Sequence, residues 1–197
     1  MEKIIVATRN THKMTELKSL FSPYITDKYE LASLDDIGFD GDIDECADSF
    51  IENAFIKAET VAKKLNCITF ADDSGLEVDA LDGAPGVHSA RYAGYHAADD
   101  TNLQKLLFEM RDINDGARNA QFVSAFVAVF PDGRKISAIG ICKGEITREK
   151  RGSGDFGYDP IFYYPPLKKT FAEMTSAQKN AVSHRAKAVQ AFIKKFF

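Results

Sequence analysis

The chain's 197 residues, 45% hydrophobic and 27% charged, are enough to bury a core without disulfide or metal staples, and length favours one domain over residues 1–197. A formal net charge of -4 supplies no broad positive surface, which argues against nucleic acid as a partner but leaves room for a small anion in a local basic pocket. The longest apolar runs, such as Phe122 to Phe130, fall far short of the ~20 residues that cross a bilayer, so no membrane span is expected.

In chain order, Ile4 to Ala7 is a short apolar run that reads as a buried strand, and Met14, Leu17, Leu20 and Phe21 then recur at helical spacing. Ser49 followed three residues later by Glu52 is a capping-box signature, and Phe50, Ala54, Ala58, Val61, Ala62 and Leu65 continue a helix over Phe50 to Leu65. Cys67 to Ala71 reads as a second strand, ending where Asp72-Asp73-Ser74-Gly75 begins. Beyond the turn residues Asp82 to Gly86 and an irregular stretch, Leu103, Leu106, Leu107 and Met110 mark a helix from Asp99 or Asp100 to Arg111. The period then switches: Phe122 to Phe130 and Lys135 to Cys142 read as strands, with Pro131-Asp132-Gly133 as a hairpin turn between them. Gly152 to Gly157 is a glycine-rich loop, and Thr175 with Gln178 is a second capping-box signature before a C-terminal helical segment. These elements make an α/β domain with a mixed sheet. Cys46, Cys67 and Cys142 form no CxxC pair, and no secretory leader is seen, so reduced thiols and a cytoplasmic location are expected.

Four segments carry chemistry. Thr8-Arg9-Asn10-Thr11-His12-Lys13 falls between the first strand and the first helix, where helix N–H groups, the helix dipole and Lys13 favour a phosphate. The spacing is not that of a Walker A loop, and Thr and Asn are also ordinary helix caps. The second segment is Asp72-Asp73: adjacent carboxylates repel, so one is expected to meet a cation or take a proton, and strand alternation points only one of them into a site. A solvated turn after a strand is the plain alternative. Asp42, Asp44, Glu45 and Asp48 gather before the long helix, and one of them can complete a Mg²⁺ site, which needs few protein carboxylates when phosphates and waters supply the rest.

The third segment, Phe156-Gly157-Tyr158-Asp159, lets backbone approach a ligand and offers two aromatic faces to a flat base, unless those rings belong to the core. The fourth is Lys179 with Ser183-His184-Arg185. In an unbroken helix Val182, Ala186, Val189 and Ile193 would form the buried stripe and His184 would point nearly away from it. With a bend at Ser183, His184 and Arg185 would instead fall in the first turn of a new helix. Both readings stand at the level of sequence.

Thr8 to Lys13, Ser49 to Ala58, Ala71 to Gly94, Gly152 to Phe162, Lys169 to Met174 and Gln178 to Arg185, in that order, closely resemble the motifs of the inosine triphosphate pyrophosphatase family, also called dITP/XTP pyrophosphatases. The resemblance covers almost the whole length. It implies a mixed twisted sheet with flanking helices, drawn out into two lobes with a central cleft, in a homodimer that hydrolyses the bond between the α and β phosphates of ITP, dITP or XTP. It further implies that Thr8 to Lys13 hold phosphates, that Asp73 is the general base or a metal ligand, and that Ser74 contacts substrate. Phe156 to Asp159 would embrace the base, Lys179, His184 and Arg185 would close the nucleotide site, and Glu45, with Asp44 second, would join Asp73 on Mg²⁺. On this basis Lys13 and Lys179 are expected to neutralise the departing pyrophosphate, and Asp73 or Asp72 to orient the attacking water. Two departures are small: Arg9 stands where many relatives carry Gly, and Gln178 where Glu is common. Two rivals remain: a regulatory nucleotide binder on the same scaffold, which would lack the acidic metal site, and a Maf-like pyrophosphatase acting on modified pyrimidines or dTTP.

Overall fold

A computed structural model describes residues 2–25, 28–154 and 156–196. The chain runs β1 (Glu2–Val6), α1 (Thr11–Phe21), β2 (Tyr29–Ser33), α2 (Phe50–Leu65), β3 (Thr69–Val78), α3 (Asp99–Glu109), β4 (Asn119–Val129), β5 (Lys135–Ile146), β6 (Phe162–Tyr164), β7 (Lys169–Thr170), α4 (Ser176–Val182) and α5 (His184–Phe196), with short 3₁₀ turns between. One seven-stranded sheet has the order β2-β1-β3-β4-β5-β6-β7. It is mixed, as expected: β1 pairs parallel with β2 (Ile4 opposite Leu31) and with β3 (Val6 opposite Phe70), whereas β6 pairs antiparallel with β5 and β7.

The chain gathers into two compact units, the first comprising Met1–Asp73, Ser124–Gly140 and Arg185–Phe197, the second Ser74–Val123 and Ile141–His184. Strands β3, β4 and β5 contribute residues to both. In the first unit, Met14, Leu17 and Phe21 of α1 and Ala188, Val189, Phe192 and Ile193 of α5 pack on Ile4, Val6, Leu31, Phe70 and Phe126 of the sheet. Its centre is aromatic: Phe192 meets Phe126 edge-on at 4.8 Å between ring centroids and Phe70 at 5.1 Å, a geometry that adds to the burial of each ring. The second unit has its own core, in which Leu103, Leu106 and Met110 join Leu76, Val78, Phe122, Phe162 and Phe171. There the buried Arg118 donates to the carbonyls of Met110 (2.6 Å), Ile146 (2.7 Å) and Thr147 (3.0 Å), tying the end of α3 to the end of β5.

Local sequence explains the well-bounded elements. Ser49 Oγ accepts from the Glu52 amide at 3.3 Å, α2 carries Lys63 and Lys64 in its last turn, and Asn66 ends it in the left-handed region at φ 48°. Gly133, at φ 87°, makes the turn between β4 and β5, closed by Phe130 N–H donating to Arg134 O at 2.9 Å. Both signatures at Thr175 and Gln178 are realised as a capping box.

Several expectations are corrected. Strand β3 does not end at Ala71; it continues through Asp72, Asp73, Ser74 and Gly75 to Val78, because Leu76 and Val78 prolong its apolar face and the two carboxylates find buried partners. The hairpin strands extend beyond their expected ends, to Asn119–Val129 and Lys135–Ile146, and α3 stops at Glu109. The C-terminal segment is two helices: Ser183 is extended (φ -65°, ψ 157°), ending α4 before α5 starts at His184. Strands β2, β6 and β7 have no counterpart in the expected elements. Of the glycine-rich loop, Asp155 lies outside the described residues; Gly152, at φ 88°, lies so close to Ala172 that a Cβ there would stand 2.5 Å from its carbonyl carbon. Among the described residues no helix is long and apolar enough to cross a membrane.

Candidate active site

The first unit concentrates charge around β3. The β1–α1 loop is braced by its own side chains: Asn10 Oδ1 accepts from the Lys13 amide at 3.0 Å, and Thr8 Oγ1 accepts from the Asn10 amide at 3.1 Å. Asn10 is therefore a helix cap, and its geometry fixes the turn from which Lys13 projects. Thr11 and His12, in the first turn of α1, are exposed. The guanidinium of Arg9 donates to the carbonyls of Phe39 (2.9 Å) and Gly41 (3.1 Å), so it fastens the loop to a neighbouring segment.

The two aspartates of β3 have separate partners, as the alternation of a strand requires. Asp72, 2% exposed, receives Lys13 Nζ (2.9 Å) and Arg185 Nη2 (3.2 Å) on Oδ2 and the Ser124 hydroxyl (2.6 Å) on Oδ1. Arg185 also pairs with Glu16. Burial alone would raise the Asp72 pKa, but Arg185 and Lys13, with the Ser124 hydrogen bond, hold it well below the usual carboxylate range. Asp73 instead faces Lys57, whose Nζ lies 2.8 Å from Asp73 Oδ1 and 2.7 Å from Glu45 Oε2. Here burial, joined by the nearby Glu45 charge, outweighs the pull of Lys57 and Lys13, and the Asp73 pKa is raised. Burial also acts on Glu45, but Lys57 outweighs it and the pKa falls. The opposite directions within this pair fit the geometry, since Asp73 is the less exposed side chain (12% against 34%). Lys57 is itself buried, which lowers its pKa, yet the two carboxylates more than offset this and keep it protonated.

Glu45 and Asp73 thus present hard oxygen donors converging on one cationic nitrogen. This suits Mg²⁺, which takes one or two protein carboxylates and completes its octahedron with phosphate and water oxygens. Among the described residues no group of three or more His, Cys, Asp or Glu forms a metal cage. Asp42, Asp44 and Asp48 are exposed, and Glu45 is the one of the four that meets Lys57.

In the second unit, Lys179 Nζ pairs with Asp159 Oδ2 at 2.6 Å and lies 5.1 Å from the centre of the Phe156 ring. The structure groups Lys179 with the Phe156–Asp159 segment. Tyr158 is a core residue, 5% exposed, and its hydroxyl donates to Ser89 O at 2.9 Å; it anchors the segment, and of its two aromatics the half-buried Phe156 is the better stacking face. Gly157 N–H donates to Asp99 Oδ2 at 2.8 Å, so the first turn of α3 holds the same segment. His184 stacks on Phe122 (4.6 Å, interplanar 14°), while its neighbour Arg185 belongs to the Asp72 network. Ser74, in β3, is half-buried. A cavity of about 500 Å³ in this unit is lined by a different set, including Arg118, Glu145, Arg148, Glu149 and Arg151.

Lys57, Ser124 and Glu16 were not among the expected site residues. Lys57 had a signal: it falls on the apolar stripe of α2 with Ala54, Ala58 and Val61, where a lysine needs a buried counter-ion. Ser124 interrupts an apolar run, a weaker signal.

A model of the Ham1 family matches residues 4–195. The chain belongs to the Ham1 family. It is 45% identical over 196 residues to a dITP/XTP pyrophosphatase of Clostridium perfringens, covering 96% of this chain and 95% of that protein, and 44% identical over 190 residues to one of Bacillus subtilis, covering 96% and 94%. The Ham1 protein of Staphylococcus aureus superposes with a TM-score of 0.87 at 39% identity, covering 99% of this chain and 98% of that one, and a Coxiella burnetii HAM1 protein with 0.88 at 36%, covering 100% and 98%. The mixed sheet with flanking helices is thus the Ham1 fold.

Proposed function

We propose that the protein is a nucleoside-triphosphate pyrophosphatase that hydrolyses nonstandard purine nucleotides (ITP, dITP and XTP) to the monophosphate and pyrophosphate, removing them from the nucleotide pool. The observation that carries the chemistry is the separation of two adjacent carboxylates: Asp72 is saturated by Lys13, Arg185 and Ser124, whereas Asp73 faces Lys57 beside Glu45; their pKa values are driven in opposite directions, and such neighbours have different acid–base roles. Dedication to nonstandard purines is supported by the names carried by relatives at 43–45% identity over nearly the full length.

Phosphoryl transfer to water is catalysed by positioning and by charge neutralisation. Lys13, at the start of α1, supplies fixed positive charge for the phosphates, and Lys57 holds Asp73 and Glu45 side by side. Water bonds to phosphorus, the α–β bridging P–O bond breaks, pyrophosphate leaves, and Asp73 accepts the proton. Glu45 and Asp73 would hold Mg²⁺, which supplies charge neutralisation to the phosphate oxygens. Phe156, Asp159, Lys179 and His184 are assigned to the base, where donors aimed at a 6-oxo group would be left unpaired by a 6-amino group. Activity as a homodimer in the cytoplasm completes the reading.

The intact Asp73–Glu45 pair weighs against a regulatory binder. Pyrophosphate release across ITP, XTP, dITP, GTP, ATP and dTTP, with and without Mg²⁺, tests the proposal and separates it from a Maf-like activity: kcat/KM for ITP or XTP should exceed that for ATP at least ~100-fold. Equal turnover of ATP and ITP, or preference for dTTP, refutes it.

A further inference from the structure

We infer that Asp72 is a positioning residue, locked by Ser124, whose task is to hold Lys13 in place before a phosphate arrives. The inference rests on the reading of Lys13 as a phosphate ligand. Both carboxylate oxygens of Asp72 are engaged: Oδ2 takes Lys13 (2.9 Å) and Arg185 (3.2 Å), and Oδ1 takes Ser124 (2.6 Å). A carboxylate so saturated and buried is a poor proton acceptor for water and a good fixed anchor. Lys13 of α1 and Arg185 of α5 bring positive charge to it, and Glu16 of α1 pairs with Arg185 behind them.

The consequence concerns freedom of motion. Lysine carries a long, flexible stem whose immobilisation opposes binding. Here that loss is incurred on folding, because the ammonium is already held by β3 and its side chain is only 18% exposed; a phosphate then meets a preorganised charge. Ser124 from β4 orients the carboxylate, Arg185 from α5 shares its charge, and Glu16 returns a carboxylate to Arg185. One buried anion therefore sets the position of the phosphate lysine from four elements at once, which a base acting alone would not require.

The test uses the whole protein and variants Ser124→Ala, Ser124→Thr and Asp72→Asn, with Asp73→Asn as comparator. Lys13 acetylation by acetic anhydride, read by mass spectrometry without nucleotide, should accelerate about three- to tenfold in Ser124→Ala, the equivalent of one lost hydrogen bond, and return toward normal in Ser124→Thr. Inhibition by inorganic pyrophosphate should weaken by a similar factor. Labelling of Lys13 should likewise rise in Asp72→Asn and stay near the wild-type rate in Asp73→Asn. Unchanged labelling of Lys13 in a folded Ser124→Ala protein overturns the inference, as does labelling that rises in Asp73→Asn and not in Ser124→Ala. Labelling needs no substrate turnover, so a protein inactive on ITP but with Lys13 released by Ser124→Ala would refute the proposed function and sustain this one. Should Asp72→Asn fail to fold, the two Ser124 variants decide the matter.

Discussion

Replacing Lys57 by Met keeps the length of the stem and removes one charge from between two carboxylates. At the observed 2.8 Å to Asp73, that attraction is about 1.5 kcal/mol even at the dielectric constant of bulk water, or about one pKa unit, and the partly buried setting makes this a lower bound. Loss of Lys57 therefore pushes Asp73 further up, and the acid limb of kcat/KM should move to higher pH by at least about one unit. Stability should change in step. The Lys57 pKa is raised by folding, so its contribution is fully present below the ordinary lysine value of 10.5 and is lost only as pH rises through the folded value; at neutral pH the variant forfeits all of it. Breaking a buried pair costs about 3 to 5 kcal/mol, and the deficit should shrink as pH falls, because Asp73, whose pKa is raised, takes up a proton and one buried charge disappears. Urea denaturation across an acid pH series and a pH–rate profile measure both effects. An acid limb that stays in place in a folded Lys57→Met protein would refute the reasoning, because it would mean that the titrating group does not feel this ammonium.

Asp73→Asn keeps shape and loses the proton acceptor, so kcat should fall by about two orders of magnitude or more while the circular dichroism spectrum is unchanged; near-normal turnover would move the chemistry elsewhere. Asp72, with its pKa depressed below the ordinary aspartate value of 3.8, stabilises the fold above that pH and ceases to do so as pH falls through its folded value, so acid denaturation should be steeper in the wild type than in Asp72→Asn when midpoints in urea are compared at about pH 5 and pH 3. Phe192→Ala empties the aromatic centre of the first unit and should lower unfolding free energy by about 3 to 5 kcal/mol, measured by denaturant titration.

What the sequence discloses here follows the reach of each interaction. Helix α2 is legible because its signals are local: Ser49 and Glu52 start it, and a stripe of period 3.6 runs to Leu65. The end of β3 is not, because two consecutive aspartates look like the exit from a core until Lys13, Arg185 and Lys57 are brought to them from positions distant in the chain. Lys57 shows its burial in the periodicity and hides its partners for the same reason. His184 and Arg185 are adjacent and both buried, yet the break at Ser183 sends one to Phe122 and the other to Asp72, a division that no stripe could anticipate. The short strands β6 and β7 escape because three and two residues carry no period. Position in the motif points to the segments that carry these charges; long-range charge compensation sorts which carboxylate meets which cation.

The pleat of β3 gives the candidate site a parity. Odd and even positions along that strand meet different cations, so Asp72 and Asp73 differ in partners because they differ in side. A one-residue insertion between Thr69 and Ala71 would move Asp72 into the place of Asp73, beside the lysine of α2, and would set Ala71 opposite Lys13 and Arg185. Such a chain would hold every residue of the site and still leave two buried cations without their anion. Substitutions can degrade this arrangement by degrees, whereas a shift of β3 by one position would dismantle it.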